Sequence, residues 1–189
     1  MRSPCMNRLD VGFLLATALA LLLLACAPWQ SAGCAGRARR ANCVANLKQV
    51  WAAIHNLYED PRLEDITVLK LSELPSGFYR ELCKEQSLSP RALVCPGDKR
   101  RPATSADGVS NSNVSYFLST HLVPGQPGRI VAGDRNLSVE PGILVKPSAI
   151  SDLHWHPPHL HKNGGYILHA DGTVQFVSSG ELRKEFSDW

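Results

Sequence analysis

The stretch His161-Lys-Asn-Gly-Gly-Tyr-Ile-Leu-His-Ala-Asp171-Gly172-Thr-Val-Gln-Phe-Val177 sets the reading of the whole chain. Two short apolar runs, Tyr166 to Ala170 and Thr173 to Val177, flank the pair Asp171-Gly172. An Asp-Gly pair in that position predicts a tight hairpin, because its turn needs positive φ. His161 stands ten residues before Asp171, with nine residues between them, which puts an imidazole at the entrance of one strand and a carboxylate at its exit.

Upstream of the hairpin the same two-residue period recurs in Val114-Ser-Tyr-Phe-Leu118, Ile130-Val-Ala132 and Gly142-Ile-Leu-Val145. Clusters of Pro and Gly at 124–128 and 140–142 separate these runs and mark turns. The pattern predicts a small antiparallel sheet that ends in the hairpin. Cys95-Pro-Gly-Asp98 and the polar residues up to Asn113 read by composition as a surface loop.

Further upstream the period lengthens to that of a helix. Cys43, Leu47, Val50, Trp51, Ile54, Leu57 and Tyr58 recur at spacings of three and four, and Glu59-Asp-Pro61 closes the segment. This predicts an amphipathic helix over 37–60, with Cys43 buried on its packed face as a small apolar residue and His55 on its surface. Residues 62–95 read as a short helical region. A helix followed by a sheet gives an α+β class, with a globular domain over 61–189. Cys83 and Cys95, twelve apart, either bridge a short loop in an oxidising compartment or remain two separate buried thiols.

The N-terminus carries an almost uniformly apolar run, Val11 to Ala27, preceded by Arg2 and Arg8 and closed by Pro28. Residues 1–30 therefore read as a membrane anchor or signal segment. Three outcomes stay open: prepilin-type cleavage between Gly12 and Phe13, lipidation of Cys26 in Leu23-Leu24-Ala25-Cys26, or an uncleaved anchor. Arg37, Arg39 and Arg40 pull against export by the positive-inside rule, but no second apolar span follows to return the chain. The expectation is an exported domain. A formal charge of +3 over 189 residues is too small to imply nucleic acid as a partner.

His154-Trp-His156-Pro-Pro-His159-Leu-His161 gathers imidazoles that could bind zinc, copper or nickel. No motif of defined ligand spacing accompanies them, so a polar surface loop is the favoured expectation and a metal site the alternative. No nucleophile elbow, phosphate loop or paired-carboxylate motif is present, so no enzymatic activity and no cofactor are expected. Gly133-Asp134-Arg135-Asn136 reads as a turn in which Asp134 and Asn136 bond nearby backbone and Arg135 pairs with a carboxylate.

Taken in order, the apolar N-terminus, Arg39-Arg40-Ala-Asn-Cys43-Val-Ala-Asn46-Leu47-Lys48-Gln49, Cys95-Pro96-Gly97-Asp98, Asn113-Val-Ser115-Tyr116-Phe117, Gly133-Asp134-Arg135-Asn136 and His161 with Asp171-Gly172 resemble the bacterial pseudopilin-like proteins that carry a prepilin-type processing-associated C-terminal motif. The resemblance runs over 37–183. It implies a pilin-like fold, with a long N-terminal helix packed on an antiparallel sheet, and a structural role in a type II secretion or pilus-type assembly of the cell envelope. Partners would be the membrane and other pilin-like subunits or secretion machinery. The family's leader places Glu at the fifth residue from the cleavage site, where this chain has Thr17, which argues against polymerisation by the usual route. The alternative is a lipid-anchored periplasmic protein that binds a metal or small ligand through the histidines at 154, 156, 159 and 161.

Overall fold

The computed structural model describes residues 8–59, 74–119, 128–137, 143–144, 154–156, 160–161 and 163–186. The chain divides into two compact units, Met1–Ala38 and Arg39–Trp189. Helix α1 is continuous over Arg8–Glu59, whereas the sequence suggested an apolar segment and a separate amphipathic helix. In the first unit the described side chains of Leu19, Leu21 and Leu22 are exposed. Among the described residues no helix is long and apolar enough to cross a membrane. Of the Val11–Ala27 run, only residues 16–19, 21 and 22 have described side chains. Those of Gly12, Phe13 and Cys26 lie outside the described residues.

The second unit is an α+β domain. Its sheet has the order β3-β1-β2-β4-β5, with β1 at Tyr116–Ser119, β2 at Ile130–Asp134, β3 at Ile143–Leu144, β4 at Gly164–His169 and β5 at Val174–Ser178. β1, β2, β4 and β5 pair antiparallel, as the alternating runs predict. The two-residue β3 instead pairs parallel with β1, a correction to the wholly antiparallel expectation. Two residues carry no register information of their own, so their direction follows from the connections around them.

Both faces of the sheet are covered, which is why every residue of β4 is buried. Tyr166 and Leu168 point to one side, with Cys43, Leu47, Val50, Ile54 and Leu57 of α1. Helix α2, Leu74–Glu85, adds Tyr79, Leu82 and Cys83 to the same cluster. Ile167, one residue out of phase, points to the other side with Phe117, Trp155, Val177, Leu182 and Phe186. The last two belong to or adjoin α3, a single turn at Leu182–Glu185 that no sequence signal suggested. Trp155 Nε1 donates to Val177 O at 2.9 Å, so a buried tryptophan divides the exposed His154 from the exposed His156.

Polar bonds from the helices fix the domain in place. Asn46 Nδ2 donates to Val94 O at 3.0 Å, Trp51 Nε1 to Ala170 O at 3.2 Å and Tyr79 Oη to Phe117 O at 3.2 Å. The hairpin turn is wider than the expected two-residue form. Gly172 has φ +82 but Asp171 is not among the positive-φ residues, so a type I′ turn, which needs both, is ruled out. Gly172 N donates to His169 O at 3.0 Å, His169 N to Thr173 O at 2.9 Å and Thr173 N to Asp171 Oδ1 at 2.8 Å. Ala170, Asp171 and Gly172 thus form a three-residue loop with a left-handed glycine.

Candidate functional site

Four segments far apart in sequence converge on one buried polar cluster beside the inner face of α1. The first contributes Cys43, brought inward by the apolar stripe of the helix. The second contributes Cys95, and the two form a disulfide with Cα atoms 5.1 Å apart across a separation of 52 residues. Both cysteines are fully buried. The Cys83–Cys95 bridge considered from the sequence is therefore corrected. Cys83 is a free buried thiol on α2, and burial pushes its pKa up to about 11, so it is a poor nucleophile at neutral pH.

The third and fourth segments contribute Asp134, at the end of β2, and His161, just before β4. His161 Nε2 lies 3.4 Å from Cys95 Sγ and 3.4 Å from Asp134 Oδ2. Its edge packs against the Tyr166 ring, with centroids 4.8 Å apart. Asp134 is fully buried and its Oδ2 accepts from Tyr166 N at 2.8 Å, while its Oδ1 has no hydrogen-bond partner. Burial above all raises the Asp134 pKa to about 7, against the opposing Tyr166 N–H. Burial first, and then the positive charge of Arg40, lowers that of His161 to about 4. Both shifts disfavour charge, so between about pH 4 and 7 the contact joins uncharged partners rather than an ion pair.

A second polar knot abuts the first. Asp98 Oδ2 accepts from Arg135 Nε and from Ser115 Oγ, each at 2.8 Å. Its Oδ1 accepts from Arg135 Nη2 at 3.1 Å and from Arg100 N at 3.3 Å. The fork is bidentate, and the Asp98 side chain is only 3% exposed. Burial alone would raise the Asp98 pKa; the bonds from Arg135 and Ser115 and the Arg135 charge outweigh it and hold the carboxyl below its ordinary value. Arg100 Nη1 donates to Asn111 O and Val114 O, which ties down the loop that composition marked as surface.

The backbone explains why Cys95-Pro-Gly-Asp has that composition. Asp98 N donates to Cys95 O at 2.8 Å, closing a turn, and Gly97 N donates to Cys95 Sγ at 3.3 Å. A Cβ at Gly97 would stand 2.6 Å from Leu160 O, so only glycine lets this turn approach the segment that delivers His161.

The residues singled out from the sequence do not all meet here. Asp134, Arg135 and His161 do. Asn136 donates through Nδ2 to His156 O at 3.3 Å, and Asp171 and Gly172 form the hairpin loop. The His154–His161 run is divided: His161 is buried, whereas His154 and His156 are exposed with rings 4.1 Å apart, and His159 lies outside the described residues. Sequence reasoning missed Cys43 as a bridge partner and Asp98 as the hub. The available signal was that Cys43 lies on the packed stripe of α1 and so faces other buried cysteines. Chemically the site is a clasp: a covalent bond, a bidentate fork and a hydrogen-bonded imidazole hold helix, loop and sheet together. Family models, curated proteins and solved structures offer no match to this chain.

Proposed function

We propose that the chain is a structural, pilin-like protein of the bacterial envelope, exported and held at the membrane by its N-terminus, with no catalytic role. The observation that carries this reading is the Cys43–Cys95 bridge, which fastens the C-terminal half of α1 to the sheet domain. Such a bond persists in oxidising compartments and is rare in reducing ones, which supports export. Helix 39–59 covering one face of an antiparallel sheet is the arrangement expected of a pilin-like subunit, and the buried motif residues act as its fastening. Exposed Leu19, Leu21 and Leu22 suit a segment that meets lipid or other apolar helices.

Mass spectrometry of the mature N-terminus tests the reading. Cleavage before Phe13 supports a prepilin-type route into a secretion or pilus assembly. An acylated Cys26 would replace it with a lipoprotein. Recovery of the chain in the cytosol with Cys43 and Cys95 reduced would overturn export altogether. The rival reading, ligand binding through the surface histidines, gains no support from a run whose last member is buried beside Cys95.

A further inference from the structure

The clasp has a second chemical capability. Cys43 Sγ, Cys95 Sγ and His161 Nε2 all lie within 4.8 Å of one another, and all three residues are buried. They are the only group of three or more His, Cys, Asp or Glu so placed among the described residues. We propose that when the disulfide is opened these three groups form a binding site for a thiophilic cation of the zinc type. The clasp would thus be covalent in the oxidised protein and metal-bridged in the reduced one.

The donor set fits such an ion. Two thiolates and an imidazole are the ligands that zinc selects, at bond lengths of about 2.3 Å to sulfur and about 2.0 Å to nitrogen. Opening the bridge lets the sulfurs move from bonding contact to the edge of a tetrahedron, and the imidazole already lies 3.4 Å from one of them. Outer contacts are also in place. Gly97 N–H points at Cys95 Sγ at 3.3 Å, as backbone amides do toward metal-bound thiolates.

A separate observation points to a cation. Asp134 is fully buried with Oδ1 unpartnered, although its other oxygen is 3.4 Å from His161 Nε2. A buried carboxyl oxygen without a partner is costly, and a positive ion held by His161 would favour the ionised carboxylate beside it. Asp134 lies beside this site without belonging to the three-residue group.

The chemistry balances with a dithiol as reductant. The disulfide takes two electrons and two protons from the dithiol, which becomes a disulfide, to give the Cys43 and Cys95 thiols. A divalent cation then displaces two protons to form the bis-thiolate. Because the site rests on side chains of the second unit, it does not depend on how the N-terminus is processed.

The test uses the full chain in mild detergent, either reduced with a dithiol and freed of reductant and metal without air, or left oxidised. Cobalt is the probe, since its thiolate complexes show a charge-transfer band in the near ultraviolet that imidazole-only complexes lack. The reduced protein should take up one cobalt per chain with that band, zinc should displace it, and the oxidised protein should show none. Cys43→Ser with Cys95→Ser should abolish this site's band, and His161→Ala should weaken cobalt by at least about tenfold, as loss of a metal contact does. The double change His154→Ala with His156→Ala should leave it unaltered. Circular dichroism of the reduced, metal-free wild type guards against unfolding as the cause. A folded, reduced protein that shows no thiolate–cobalt band overturns the proposal, as does a band undiminished by Cys43→Ser with Cys95→Ser.

Discussion

Asp98 shows how one side chain can hold three segments. It accepts four hydrogen bonds, from Arg135 twice, from Ser115 and from the Arg100 backbone, while almost excluded from water. Asp98→Asn keeps the shape but removes the charge opposite Arg135, and should lower stability by about 2 kcal/mol, since the guanidinium then loses a largely buried partner. The sign of the pH effect follows from the depressed pKa. A carboxylate that ionises more readily when folded adds stability above its unfolded value, near pH 4, and that stability is lost as pH falls through the folded value. Acid unfolding of the wild type should therefore steepen below about pH 4, and Asp98→Asn should flatten that part of the curve, as urea midpoints between pH 2 and 6 would reveal. Unchanged slopes would remove Asp98 from this role. Nothing in the local sequence announces it, because a carboxylate in a Pro-Gly loop reads as solvated until Arg135, 37 residues away, is placed beside it.

Among the elements, the hairpin loop and α1 depend on each other. Trp51 donates to Ala170 O, and the same indole lies over Gly172, where a Cβ would come within 2.9 Å of the ring. Gly172→Ala meets both that contact and a φ of +82, and should cost about 1–3 kcal/mol by thermal unfolding. Leu47→Ala, a fully buried truncation on the packed stripe of α1, should cost about 2–5 kcal/mol. Full stability of either variant would contradict the packing described. The strands and both faces of α1 in the second unit were readable because periods of two and of three to four residues are local consequences of burial. The parallel edge pairing of β3, the single-turn α3 and the three-residue loop were not. Each is decided by which partner arrives across the sheet, and two or four residues of sequence cannot encode that partner.

In the whole domain, the long-range bonds carry what the pattern could not. Joining Cys43 to Cys95 closes a loop of 52 residues, and by chain entropy alone the bridge should stabilise the fold by about 4 kcal/mol. Cys43→Ser with Cys95→Ser should show that loss in chemical denaturation, and a loss well under about 1 kcal/mol would mean that the unfolded chain is hardly constrained by the bond. The six cysteines allowed several pairings, and spacing suggested only the near pair, with two separate thiols as the alternative, because proximity in sequence says nothing of a helix that folds back on the sheet. The separations of the long-range contacts also set a timetable. Trp51 and Ala170 are 119 residues apart, and His161 reaches Cys95 across 66, so neither the helix–hairpin bond nor the polar cluster can close until nearly all of the chain has left the ribosome. The bridge needs only the first half of the domain. Oxidation can thus precede assembly of the last hairpin, and a pre-formed bridge shortens the search that non-local pairing imposes. Stopped-flow refolding of the oxidised chain should accordingly be faster than that of the reduced chain, and equal rates would mean that the approach of Cys43 to Cys95 comes after the rate-limiting step.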